Sequence, residues 1–92
     1  MPAKVVATVK VLPEGDEVNL NELKEELKRA LPSGLEIYRI DDEPIAFGLV
    51  ALKVHVVMPA DFEGGTSSLE DAFSKVKGVG QVEVELVRQV SL

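Results

Sequence analysis

The sequence predicts an α+β sandwich: a four-stranded antiparallel sheet with two helices on one face, in the order βαββαβ, which is the ferredoxin-like arrangement. Three observations carry this. Residues 3–12 and 49–57 are β-branched runs of strand length, and they are the two most apolar stretches of the chain. Two intervening segments carry apolar stripes at helical spacing. Right-handed crossovers in the order strand, helix, strand, strand, helix, strand then place strands one and three in the centre, where the most apolar runs belong.

Each element has its own signature. In AKVVATVKVL, Val5, Ala7, Val9 and Val11 form a fully apolar face and Val6, Thr8 and Lys10 a mixed one. Pro13-Glu14-Gly15-Asp16 breaks that strand. Asn19, with Glu22 three positions on, opens a helix with the capping-box spacing. Leu20, Leu23, Leu27 and Leu31 make its buried stripe, and Pro32-Ser33-Gly34 ends it. Leu35–Ile40 is read as a short edge strand, and Asp41-Asp42-Glu43-Pro44 as an acidic loop. Within Leu49–Val57 the polar side chains are Lys53 and His55, two apart and so on one face, with Leu52, Val54 and Val56 on the other. Pro59 and Gly64-Gly65 bracket a loop. Ser67 and Glu70 then offer a second capping box, followed by the stripe Leu69, Ala72, Phe73 and Val76. Gly78 and Gly80 flank Val79 in the exit turn. The last strand, Gln81–Val90, alternates through Val82, Val84 and Leu86 until Val87 breaks phase, which predicts a bulge or a strand that leaves the sheet.

Length and composition narrow the function. Ninety-two residues make one domain, spanning 1–92, with a single two-layer core. No apolar run approaches the ~20 residues of a membrane span. The opening Met1-Pro2-Ala3-Lys4 lacks a signal peptide's apolar core, so the expected location is cytoplasmic. The absence of cysteine rules out disulfides and thiolate chemistry. A net charge of −6 disfavours a nucleic-acid partner and suits a basic protein, although acidity also serves plain solubility. RNA recognition on such a sheet needs aromatics on the central strands, and Tyr38, Phe47, Phe62 and Phe73 are not so placed.

No constellation for covalent catalysis emerges. Gly64-Gly65-Thr66 lacks the spacing and the lysine of a phosphate loop. Asp41, Asp42 and Glu43 are read as a solvated acidic turn rather than a cation site. His55 is the sole histidine, without a sequence neighbour to act with, and is read as a strand surface residue. The chain is therefore expected to work without catalytic residues, metal or cofactor. Phe47 supports two readings: a core aromatic at a strand start, or an interaction anchor on a loop tip beside Gly48.

With these residues in view, the run Pro44-Ile45-Ala46-Phe47-Gly48-Leu49-Val50-Ala51-Leu52-Lys53-Val54 resembles the signature of the nucleotide-exchange domain of elongation factor 1-beta. The Val-rich first strand, the acidic proline-containing loop, Asn19-Leu20 and Gly78-Val79-Gly80-Gln81-Val82-Glu83-Val84 match that family as well. The short chain is similar to the archaeal form. The resemblance implies release of GDP from elongation factor 1-alpha, the GTPase that delivers aminoacyl-tRNA, by a factor expected to be monomeric when free. It implies a partner-binding set of Ala46, Phe47 and Gly48 at the turn, with Arg88 and Gln89 near the end of the chain. In the family a lysine next to the C-terminus reaches the GTPase's magnesium and nucleotide region. Here no lysine follows Lys77; Gln89 falls opposite the family's lysine and Arg88 adjoins it. Arg88 is also read as an exposed arginine offsetting Glu83 and Glu85, leaving the strand with residues 89–92. The alternative from another class is a regulatory domain of the same fold that binds a small ligand or self-associates.

Overall fold

The computed structural model describes residues 4–15, 17–60 and 65–90, with the side chains of Phe47 and Val90 outside the described set. The elements run β1 (Lys4–Pro13), α1 (Leu20–Ala30), β2 (Glu36–Pro44), a 3-10 turn (Ala46–Gly48), β3 (Val50–Pro59), α2 (Gly65–Ser74) and β4 (Val79–Val90). All pairings are antiparallel and the strand order is β2-β3-β1-β4, so strands one and three are central as predicted.

The core lies between the sheet and the helices. Val9 and Val11 of β1 and Leu52, Val54 and Val56 of β3 are completely buried beneath Leu23 and Leu27 of α1 and Leu69 and Phe73 of α2. Leu20, Leu31 and Val76 close its margins. Asn19 caps α1 by accepting a hydrogen bond from the Glu22 backbone N–H at 3.1 Å. That satisfies one of the unpaired donors of the first turn. Gly80 lies where β4 passes the end of β1: a Cβ there would come within 3.1 Å of the Pro13 carbonyl oxygen, so a larger residue would require the Pro13–Glu14 backbone to give by a few tenths of an ångström.

Two expectations are corrected, and one left between two outcomes is decided. Asp41–Pro44 is strand rather than loop: Asp41, Asp42, Glu43 and Pro44 stand opposite Lys53, Leu52, Ala51 and Val50. The strand tolerates its acids because cations face them from neighbouring elements. The terminal Pro44 is acceptable on an edge strand, where a missing N–H need not break a ladder. Ser67 lies inside the first turn of α2, which begins at Gly65, so it is not the cap; Gly64 lies outside the described residues. The phase break in β4 is a bulge rather than a departure. Thr8 opposes Leu86 and Val9 opposes Val84, leaving Glu85 as the extra residue, and pairing then resumes as far as Lys4 with Val90. One inserted residue absorbs the slip, so Arg88 and Gln89 stay in the sheet, opposite Val6 and Val5. Ser91 and Leu92 lie outside the described residues.

Phe73 is fully buried and Tyr38 is 70% exposed, which gives a direct test of this core. Truncating Phe73→Ala should cost about 3–5 kcal/mol in denaturant unfolding. The change Tyr38→Ala should stay within about 0.5 kcal/mol. Equal effects of the two would contradict the assigned layers.

Candidate functional site

The segment joining β2 to β3 is a short closed turn. The Ile45 N–H donates to the Leu49 carbonyl at 2.8 Å, tying its two ends, and Gly48 takes φ +74° with open space around it. Glycine is needed there for backbone conformation rather than for room. Ala46 and Gly48 are exposed on either side of Phe47. Sequence places residue 47 at the apex of this hydrogen-bonded turn; its side chain lies outside the described set.

Arg88 and Gln89 are both exposed and lie elsewhere. Val11 pairs with Leu52 near the turn, whereas Lys4 pairs with Val90 at the other extremity of β1. The structure thus brings Ala46, Phe47 and Gly48 together, and Arg88 and Gln89 together. It holds the two groups at opposite ends of the sheet, about 30 Å apart by strand rise. Alternation also separates Arg88 from Gln89. Arg88 shares the open face with Val6, and Gln89 shares the helix side with Val5.

Between the two ends, the uncovered face of the sheet is laced with polar contacts that local sequence did not reveal. His55 Nε2 lies 3.1 Å from Asp41 Oδ2, and His55 Nδ1 lies 3.0 Å from Thr8 Oγ1. An ionised carboxylate only accepts, so Nε2 carries the proton; in the neutral ring Nδ1 then accepts from the threonine hydroxyl. Arg39 Nε donates to the other oxygen of Asp41 at 2.6 Å. Further along, Lys53 Nζ sits 2.9 Å from Glu43 and 3.5 Å from Glu85, and Lys10 lies 4.0 Å from Glu43. Asp42 points the other way and pairs with Lys24 of α1 at 2.9 Å.

This geometry decides several chemical questions. Carboxylate, imidazole and hydroxyl line up as in a hydrolytic triad, yet Thr8 sits in a central strand paired on both sides, so neighbouring backbone N–H groups are committed to ladders and supply no oxyanion hole. The cluster braces three strands. The strand geometry that sends Asp42 to the helix side keeps Asp41, Asp42 and Glu43 from converging, and no group of three metal-ligating side chains occurs among the described residues. No helix of the described residues is long and apolar enough to cross a membrane. The signal that would have found His55's partners was cross-strand: once strands one and three are neighbours, Thr8 and His55 occupy off-core positions in the same region.

The Arg39 hydrogen bond holds the Asp41 carboxyl below the usual carboxylate range against the opposing effect of burial, and His55 adds to it. Glu43 is held low by the Lys53 ammonium, again against burial, while Glu43 in turn raises Lys53.

The structure is thus in class a ferredoxin-like α+β domain with an exposed, hydrogen-bonded turn and a braced polar face. The comparisons specify the class. Residues 6–90 match the family model described as the EF-1 guanine nucleotide exchange domain. The chain is similar to the Elongation factor 1-beta of Staphylothermus marinus, with 52% identity over 97% of this chain and 99% of that one. It is also 51% identical to the Elongation factor 1-beta of Methanothermobacter thermautotrophicus, over 94% of this chain and 96% of that one. The solution structure of the C-terminal domain of the MgtC protein from Mycobacterium tuberculosis shares the fold, with TM-score 0.58 at 14% identity, over 98% of this chain and 88% of that one. The chain belongs to the EF-1 guanine nucleotide exchange domain family, and its role is guanine nucleotide exchange in translation elongation.

The open-face charges make stability pH-dependent in a definite sense. Asp41 and Glu43 release their protons more readily when folded, so each stabilises the fold above the ordinary carboxylate range and loses that effect as pH falls through its depressed folded value. Lys53 contributes below the ordinary lysine value and loses its contribution as pH rises through its raised one. Thermal unfolding should therefore be flat near neutrality and decline in acid, and an Asp41→Asn/Glu43→Gln variant should show a shallower acid limb. An unchanged limb would count against these pairs as its source.

Proposed function

We propose that this single domain promotes GDP release from elongation factor 1-alpha by gripping the GTPase at two separated points. One is the Ile45–Leu49 turn with Phe47 at its apex; the other is the end of β4 carrying Arg88 and Gln89. The observation that supports this best is the turn itself, closed by hydrogen bonds and by a left-handed Gly48 at the exposed end of the sheet. A rigid turn presents an aromatic at little entropic cost, which is what an interface anchor requires.

An exchange factor forms no covalent bond and in that sense is not an enzyme. It binds the nucleotide-free GTPase more tightly than the loaded one. Linkage then requires the bound factor to weaken nucleotide affinity by the same ratio. Phe47 supplies affinity for every state. A group at the far end must discriminate, by competing for phosphate or for the carboxylates that hold magnesium. A guanidinium at Arg88 can do this, since it is permanently charged and forms paired hydrogen bonds with such groups. Gln89 takes the position of the family's lysine and faces the other side of the strand, so the two are separable by mutation. Direction comes from the cellular excess of GTP, and the factor acts where translation occurs, in the cytoplasm.

Stopped-flow release of a fluorescent GDP analogue from the cognate GTPase is the test. Substoichiometric chain should accelerate release, and no acceleration would remove the reading. Phe47→Ala should weaken binding to the nucleotide-free GTPase by about 2 kcal/mol or more, as for an interface hot spot. Its effect on stability should be smaller than the roughly 3–5 kcal/mol expected for truncating a core phenylalanine. Arg88→Ala should lower the maximal exchange rate while preserving affinity, and Gln89→Lys should maintain or raise it. If Arg88→Ala leaves the maximal rate untouched, the far contact is not made by Arg88.

A further inference from the structure

The two outer strands each carry a bulge, and the two flank the same row of the sheet from either side. On β2 the extra residue is Tyr38, between Ile37 opposite Val56 and Arg39 opposite His55. On β4 it is Glu85, between Val84 opposite Val9 and Leu86 opposite Thr8. Thr8 and His55 oppose each other, so one transverse row reads Arg39, His55, Thr8, Leu86 from edge to edge. The remaining register shift in the sheet lies at the far end, beside Pro13.

Bulges bend a strand and re-aim its side chains, and they gather next to functional sites. Here they border a groove on the open face. Tyr38 and Arg39 stand on one side, Leu86 and Arg88 on the other. Tyr38 and Leu86 are 70% and 50% exposed, large apolar side chains at facing edges of one depression. The floor is low: Val6 and Val57 oppose each other in the next row, beside the His55–Thr8 pair.

Charge is arranged as distinctively. The net charge of the chain is −6, yet this groove is lined by two guanidiniums against one carboxylate. That carboxylate, Asp41, is already engaged by Arg39 and His55. Arg39 uses only Nε on it, leaving its terminal amino groups to donate outward. The groove therefore offers apolar contact flanked by cationic donors.

Its shape selects the occupant. Three strand spacings separate β2 from β4, about 14 Å. An α-helix with its side chains is about 10–12 Å across. A sheet face presents no free backbone groups, so an extended segment laid on it would leave its own N–H and C=O unpaired, whereas a helix arrives self-satisfied. We propose that this groove docks an α-helix of the GTPase that places an apolar side chain between Tyr38 and Leu86 and a carboxylate against Arg39, with Arg88 at its margin left to the far-end contact. The proposal rests on the exchange-factor reading and adds to it a third contact, between the two ends of the sheet.

Two measurements test it, on the full chain with cognate elongation factor 1-alpha: direct titration of the nucleotide-free GTPase, and exchange rate against factor concentration. The variants are Tyr38→Ser/Leu86→Ser, Arg39→Gln, and Lys75→Glu on the exposed surface following α2 as a control, each checked by thermal unfolding. The double variant should raise the dissociation constant and the half-saturating concentration about tenfold or more, as expected for an interface anchor, with the maximal rate retained. Arg39→Gln should raise both in the same direction, and Lys75→Glu should leave both within twofold. Dissociation constants within twofold of wild type for the double variant would overturn the groove while leaving exchange standing. An effect confined to the maximal rate would also overturn it. Wild-type chain that neither binds the GTPase nor accelerates release would overturn both readings.

Discussion

One face of the β1–β3 pair must be kept from water, and most of this structure follows from that requirement. Val9, Val11, Val54 and Val56 are wholly buried, and burying a valine-sized side chain contributes about 1.5–3 kcal/mol. Among the described residues, the stripes of α1 and α2 cover them. Once both helices are committed to that face, the connections fix β2 and β4 as the outer strands, and the other face of the sheet is left open. The open face then carries the polar residues of the central strands: Thr8, Lys10, Lys53 and His55 all lie there.

Those residues are bound to one another rather than left to solvent. Asp41, His55 and Thr8 link β2, β3 and β1, and Glu85, Lys53 and Glu43 link β4, β3 and β2. Individually such partly exposed pairs contribute little. As a lattice across every strand they resist shear within the sheet. The two-point grip proposed above requires that stiffness, because a factor acting at both ends of a sheet can discriminate between states of its partner only if its own length is fixed.

The fold was legible because its signals are local. Strand alternation, the Asn19 cap, the helical stripes and the glycine turns each span a few residues, and the order of elements left one reasonable topology. The turn at Ala46–Gly48 was legible for the same reason. What sequence did not show depends on pairing across strands. Asp41–Pro44 reads as a loop by composition, and becomes strand because Lys53, His55 and Lys24 stand within reach of its acids. His55 looked solitary because Asp41 and Thr8 lie 14 and 47 positions away. The break at Leu86-Val87 announced an irregularity but not its outcome, since only the register with β1 shows that one extra residue restores pairing. The placement of Arg88 and Gln89 at the opposite end from Phe47 likewise follows from register rather than from residue type.

The distribution of charge reconciles an acidic chain with guanidiniums at the docking face proposed above. Long-range attraction depends on total charge, and −6 favours approach of a basic partner from any side. A hollow beside the start of α1, where Glu14, Glu17, Glu22, Glu25 and Glu26 outnumber Arg29 and Lys77, carries part of that acidity on the helical layer. Within a Debye length, about 8 Å at physiological salt, the local groups decide instead. There the open face presents Arg39 and Arg88 beside Tyr38 and Leu86. On that proposal, encounter and recognition fall to opposite signs and opposite sides of the sheet. Added salt should slow association through the first while altering the closely packed contact much less, because desolvated pairs at an apolar groove are poorly screened.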